Sequence, residues 1–264
     1  MQPEIDVLGL PIKTFGLFFG LCFIASGLIV ARRLRELGKP ADWAYEMIFA
    51  ALLGGVIGSR LWWAAEHLDE VSDDPGKLFG GSGLTWYGGL IGGALAVCIY
   101  ARRRDLLGVG LFDLCAPGLA IGYAVGRVGC QLSGDGDYGE AWDGPWAMAY
   151  PDGTVPTTEE VHPTPVYETL AMALVAYVLW RLRDRFRPGI LFAIYLVAAG
   201  VERFLIEFVR RNEDVAIGLT QAQLLSLAMV LAGGIWLARA SARGGLRARP
   251  EDGPRLGRAR PATS

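Results

Sequence analysis

Cysteine is scarce in this chain, with four in 264 residues. Cys22, Cys98 and Cys115 lie inside apolar runs, Cys130 borders a glycine-rich loop, and no two form a CxxC pair. They read as small hydrophobes and exclude a disulfide framework or a cysteine metal site. A surplus of positive charge is also missing. Lys and Arg number 25 against 27 Asp and Glu, a formal net charge of -2, so no nucleic-acid partner is expected. The start, Met1-Gln2-Pro3-Glu4-Ile5-Asp6, lacks the basic n-region of a secretory signal, and no cleavable signal peptide is expected. No internal repeat is visible, which argues against an inverted-repeat transporter. Asp135 and Asp137 invite a calcium reading, but counting from Asp135 the sixth and twelfth places hold Glu140 and Trp146. An EF-hand needs Gly and Glu there, and no metal is expected.

Apolar residues, by contrast, are abundant. They make up 52% of the chain, and its mean hydropathy is +0.33. Charged residues are clustered between long apolar segments, the pattern of a polytopic membrane protein. Those segments fall at Thr14–Val30, Trp43–Ala64, Leu84–Tyr100, Leu111–Leu132, Pro165–Trp180, Ile190–Val209 and Gln221–Ala238. Each is about 17 to 22 residues, enough to cross a bilayer core of about 30 Å as a helix. The expected fold is all-α, with about seven transmembrane helices. Paired glycines such as Gly54-Gly55, Gly88-Gly89 and Gly92-Gly93 suit close approach of membrane helices.

The junctions alternate in charge. Arg32, Arg33 and Arg35 follow the first span, Arg102–Arg104 the third, and Arg181, Arg183, Arg185 and Arg187 the fifth. Arg243, Arg247, Arg249, Arg255, Arg258 and Arg260 follow the seventh, while the other junctions are acidic. By the positive-inside rule the N-terminus is outside and the C-terminus cytoplasmic. The expected organisation is a transmembrane domain over 1–241, with an extracytoplasmic head at 133–163 and a disordered basic cytoplasmic tail at 242–264. Trp142, Trp146 and Tyr150 in the head suit the lipid head-group zone.

The chemistry concentrates at the outer ends of these spans. Arg127, in Gly126-Arg127-Val128-Gly129, ends an apolar segment just before the Gly/Asp-rich loop Ser133-Gly134-Asp135-Gly136-Asp137. An arginine at that depth costs a few kcal/mol unless an anion meets it. Its guanidinium is shaped to grip a phosphate through parallel hydrogen bonds. Arg203, Glu207 and Arg210 are spaced i, i+4, i+7 and share one helical face. An ion network that only fixes packing would explain that stripe. With Arg127 at similar depth, it reads equally as a net-positive anion site near the outer leaflet. Arg60, toward the outer half of the second span, either snorkels or joins this cluster. Asp113 suits a cap or an arginine partner. In His162-Pro163-Thr164-Pro165-Val166-Tyr167-Glu168, Thr164 is the expected N-cap and Glu168 the expected first-turn acid, which leaves His162 and Tyr167 unexplained.

These pieces, together with Trp86-Tyr87-Gly88-Gly89-Leu90-Ile91-Gly92, resemble the prolipoprotein diacylglyceryl transferase family in order, spacing and sidedness. The resemblance runs from the first span to the seventh. It implies transfer of the diacylglyceryl group of phosphatidylglycerol to the lipobox cysteine of a prolipoprotein signal peptide in the bacterial inner membrane. Glycerol 1-phosphate is released, and no metal or organic cofactor is needed. It implies catalytic roles for Arg127, Arg203 and Tyr87. Arg60, Ser133, Gly134, Asp135, His162, Tyr167, Glu168, Glu207 and Arg210 are implied to bind substrate. Tyr87 stands where the family often has histidine, Cys130 and Ser133 stand for the usual asparagines, Asp135 best matches the usual glutamate, and Phe15 replaces an early tyrosine. The base that deprotonates the thiol is therefore open among Tyr87, Asp135 and His162. Two other readings stay open: a related membrane enzyme with another phospholipid or acceptor, and a non-enzymatic anion- or lipid-binding membrane protein.

Overall fold

The computed structural model describes residues 1–7, 9–74, 76, 77, 85–249, 252 and 256. Leu84, at the head of the third expected span, lies outside the described residues, as do Arg255, Arg258 and Arg260 and most of the tail beyond 249. The helices are α1 (Thr14–Glu36), α2 (Asp42–Glu66), α3 (Leu68–Asp73), α4 (Trp86–Arg103), α5 (Val109–Ser133), α6 (Thr164–Leu182), α7 (Ile190–Ile206) and α8 (Gln221–Ala242). The strands are short and paired in antiparallel twos: β1 (Glu4–Val7) with β2 (Leu10–Lys13), β3 (Met148–Tyr150) with β4 (Thr157–Val161), and β5 (Asp214–Ala216) with β6 (Leu219–Thr220).

The protein is mostly helical, and each expected apolar segment falls on a helix. Among the described residues, α1, α2, α5 and α8 are long and apolar enough to cross a membrane. Large apolar side chains such as Phe19, Ile24, Phe49, Leu61, Leu95, Leu170, Leu174 and Leu231 stand exposed on these and neighbouring helices. So much exposed apolar surface would be a liability in water and is what a lipid solvent requires.

The chain divides into two compact units, one made of Met1–Val30 and Phe112–Gly253, the other centred on Ala31–Leu111. In the second, α2 and α4 meet through glycine. A Cβ on Gly92 would stand 2.8 Å from Gly58 Cα, too close for any side chain. The Ser59 hydroxyl donates to Thr85 O at 2.8 Å and the Thr85 hydroxyl to Ser59 O at 3.0 Å, which ties the two ends of the pair.

The first unit holds α5, α6, α7 and α8. Ala116, Ala120 and Ala124 of α5 pack against Met172, Ala176 and Leu179 of α6 and Leu191 and Ala199 of α7. Small residues on α5 let its backbone come near α1, where the Ser26 hydroxyl donates to Gly118 O at 2.8 Å. Asp113 caps a different helix from its own. Its carboxylate accepts from Gly189 N at 2.7 Å and Phe192 N at 2.8 Å, at the start of α7. Those are orphan donors of a helix N-terminus, and an anion there is favoured twice over.

Beyond α5, residues 134–163 fold onto the β3–β4 hairpin around Tyr138, Tyr150 and Val161. Gly139 bridges Arg210, and Ala141 bridges Val161. Of the tail from 242, the described part pairs strand-fashion: Arg187 N donates to Leu246 O and Ala248 N to Arg185 O, each at 3.0 Å.

Candidate active site

Three helix ends in the first unit carry the site. Arg127 lies in the last two turns of α5, Glu168 in the second turn of α6, and Arg203 in the last turn of α7. The α-helical stripe expected through Arg210 stops earlier: α7 ends at Ile206, Glu207–Val209 form a 3-10 turn, and Arg210 is extended. Its bridge to Gly139 turns the chain so that Arg210 still joins the others.

Glu168 is the hub. It is fully buried, and Tyr123 donates its hydroxyl to Oε1 at 2.8 Å. Arg127 Nε stands 3.0 Å from Oε2, Arg203 Nη1 3.4 Å from Oε1 and Arg210 Nη1 3.7 Å from Oε2. Burying one carboxylate costs several kcal/mol unless cations and donors meet it, and three guanidiniums do so here. The dipole account of Glu168 gives way accordingly: it is the fifth residue of α6, past the first turn, and its α5 and α7 partners hold it. Thr164 is not the cap either. It is the first helical residue, after Pro163, and its hydroxyl donates to Asp137 O at 2.5 Å.

Two further carboxylates complete the network. Glu207 Oε2 pairs with Arg203 Nη2 at 2.8 Å, while its Oε1 accepts from Asn212 Nδ2 at 2.6 Å and the Thr220 hydroxyl at 2.8 Å. Thr220 is also the N-cap of α8 in a capping box with Gln223, so this carboxylate is tied to the start of α8. Asp137 bridges two arginines: Oδ2 pairs with Arg127, and Oδ1 lies 2.5 Å from Arg210 Nη2. Burial works to raise the Asp137 carboxyl, but the Arg127 and Arg210 guanidiniums and a hydrogen bond from Arg210 outweigh it. Its pKa sits below the ordinary 3.8.

The expected net-positive cluster is thus corrected. Arg127, Arg203 and Arg210 face Asp137, Glu168 and Glu207, three charges of each sign. Carboxylates are the anions that can accompany arginines into a low-dielectric region when no ligand is bound. The arginine side chains retain 16% exposure at Arg127, 22% at Arg203 and 8% at Arg210.

The remaining expected site residues fall into three groups. Ser133 and Gly134 hold the loop. The Ser133 carbonyl accepts from Thr154 N at 2.9 Å and from the Thr154 hydroxyl at 3.1 Å. Gly134 has φ of +57° and lies so near Gly153 that a Cβ would meet its Cα at 2.7 Å. Asp135 accepts from Asp137 N at 3.3 Å and so shapes the turn that presents Asp137. Cys130, Asp135 and Asp137 bring possible ligand atoms within 4.8 Å of one another, but Arg127 and Arg210 already answer Asp137.

His162 and Tyr167 belong to an aromatic cluster. His162 stacks on Trp142 with ring centroids 4.4 Å apart. Trp146 Nε1 donates to the Tyr167 hydroxyl at 2.7 Å, and that hydroxyl lies 3.3 Å from His162 Nδ1. Arg60 and Tyr87 lie in the second unit, where Arg60 is half-buried on α2 and the Tyr87 ring stands 6.3 Å from Trp62.

Sequence reasoning missed Tyr123, Asn212 and Thr220, and it passed over Asp137 in favour of Asp135. Tyr123 was findable, since it sits four residues before Arg127 on one helical face. Asn212 and Thr220 were not, because they reach Glu207 across a turn and a hairpin.

The prolipoprotein diacylglyceryl transferase family matches residues 3–239 of this chain. A protein of Chromohalobacter salexigens named phosphatidylglycerol–prolipoprotein diacylglyceryl transferase is 33% identical over 247 residues, 88% of this chain and 91% of that protein. Proteins of the same name from Dehalococcoides mccartyi and Clostridium tetani are 33% identical over 229 residues and 28% identical over 238. These cover 84% and 88% of this chain, and 86% and 95% of the relatives. Matched along nearly its whole length, the chain belongs to the prolipoprotein diacylglyceryl transferase family.

Proposed function

We propose that this protein transfers the diacylglyceryl group of phosphatidylglycerol to the lipobox cysteine of a prolipoprotein signal peptide. The observation that carries the reading is the meeting of Arg127 and Arg203, from two separate helices, on one buried Glu168. Family membership supplies the reaction, and the arginines suit its hardest moment. The cysteine thiolate attacks the glycerol carbon that bears the phosphate ester. A carbon–sulfur bond forms, the carbon–oxygen bond breaks, and its electron pair leaves on the phosphate oxygen as glycerol 1-phosphate. Charge grows on that oxygen in the transition state, and preplaced guanidiniums stabilise it without reorganisation. Arg127 and Arg203 take that role, Arg210 and Glu207 bind the substrate beside them, and Glu168 keeps the guanidiniums together.

The thiol must first lose its proton. Tyr87, Asp135 and His162 are assigned to that step or to binding the substrate, and Arg60, Tyr167, Ser133 and Gly134 to binding it. Seven helices span the inner membrane, the 133–163 segment forms the outer head, and the tail lies in the cytoplasm. The test incubates purified protein with phosphatidylglycerol and a lipobox peptide. A diacylglyceryl mass shift on the peptide cysteine with release of glycerol 1-phosphate is expected, and a peptide left unmodified would overturn the assignment.

A further inference from the structure

Three anions accompany the three arginines, and they are not equivalent. Glu168 is fully buried and takes the Tyr123 hydroxyl as well as guanidiniums. Glu207 is 3% exposed and is held by Asn212 and Thr220. Both stand where rearrangement would strip a buried charge of its neutral donors. Asp137 is different: its side chain is 31% exposed, its carboxylate oxygens pair with the Arg127 and Arg210 guanidiniums, and its one other side-chain hydrogen bond among the described residues is the weak one with the Cys130 thiol. It sits in a loop after two glycines of positive φ, Gly134 at +57° and Gly136 at +95°.

Its backbone is fixed. The Asp137 carbonyl accepts from the Thr164 hydroxyl at 2.5 Å and from Arg210 Nη1 at 3.1 Å, and Gly139 and Glu140 are tied to His162 and Val209. The side chain can therefore leave by a rotamer change while the loop stays in place.

The geometry it would vacate matches one ligand chemistry. One carboxylate oxygen faces Arg127 and the other Arg210. A phosphodiester anion also offers two charged oxygens and carries one negative charge, and it too is gripped through forked guanidinium contacts. Exchanging one for the other leaves the charge balance of the network unchanged. Among the described residues, Arg210 Nε is buried without a hydrogen-bond partner and stands 3.8 Å from Glu207 Oε2, so this guanidinium has a donor still unspent.

We infer that Asp137 is a resident counter-ion that occupies the seat of the substrate's phosphate between Arg127 and Arg210, and that its carboxylate rotates out when the phosphodiester of the lipid enters. The inference rests on the proposed transfer reaction. It explains how the arginines are held in place before lipid enters, and why lipid must compete for entry.

Carboxylate footprinting on the full-length wild-type protein in detergent tests it directly. Exposed carboxylates are coupled to glycine ethyl ester with a carbodiimide, and each site is read by mass spectrometry. Glycerol 1-phosphate, its binding verified by thermal shift, is expected to raise labelling of Asp137 about fivefold while Glu168 stays unlabelled. Unchanged or reduced labelling of Asp137 would overturn the inference. As a second measurement, Asp137→Asn is expected to lower the apparent KM for phosphatidylglycerol by about fivefold, because no internal anion then competes for the seat. An equal or higher KM would count against it. The two failures separate cleanly: a wild-type protein that leaves the peptide unmodified sinks the transfer reaction, whereas the labelling of Asp137 reports on the seat alone.

Discussion

At the scale of single residues, the network separates charge from geometry. Arg127→Ala and Arg203→Ala are each expected to cut the transfer rate by about 100- to 1000-fold, the usual cost of one oxyanion donor, measured as kcat in liposomes. Arg127→Lys is the sharper variant. It keeps the positive charge opposite Glu168 and Asp137 but loses the fork that serves both. The protein should remain folded in thermal melts while most activity disappears. Glu168→Gln removes the common partner of three guanidiniums and should destabilise the protein by about 3 to 5 kcal/mol, seen as a lowered melting temperature. Asp137 carries a pH signature. Because its folded-state pKa lies below 3.8, its pairs contribute in full above that value and are lost as pH falls through the lower folded-state pKa. In acid titrations the stability gap between wild type and Asp137→Asn should stay constant down to pH 3.8 and close below it. Arg127 and Arg203 could be singled out in the sequence because charge in an apolar run is conspicuous. Their neutrality could not, because it depends on Asp137 and Glu168 arriving from elsewhere in the chain.

At the scale of elements, packing decides where helices begin, end and cross. The i, i+4, i+7 spacing of Arg203, Glu207 and Arg210 suggested one continuous helix, yet α7 stops at Ile206 because the following residues pair with Gly139 and Glu140. Spacing reads a face, and it cannot foresee a competing strand partner. The Pro163–Pro165 stretch located the start of α6, but Thr164 spends its hydroxyl on Asp137 and caps nothing. The glycine pairs foretold close helix contact, and α2 and α4 use them so. Gly92→Val would drive side-chain atoms into the Gly58 backbone, since even a Cβ stands 2.8 Å from Gly58 Cα. That should cost about 1 to 3 kcal/mol or more, read as a lowered melting temperature in detergent.

At the scale of the whole molecule, the arginine-rich junctions are the basis of a proposed orientation that can be checked in cells. With native cysteines replaced, Trp146→Cys should react with a membrane-impermeant maleimide from outside, and Arg243→Cys only after the membrane is opened. The reverse labelling would invert the proposed topology. Hydropathy alone marked a mostly helical chain of membrane character, in which four described helices are long and apolar enough to cross a bilayer, because a helix in lipid must satisfy its own backbone and present apolar side chains. Order and spacing of motifs were enough to place it in its family. Tertiary structure alone decided which charges meet. Tyr123, Asp137, Glu168, Arg203, Arg210 and Thr220 come from distant parts of the chain, and ion pairing at short range depends on distances that folding sets and linear spacing does not record.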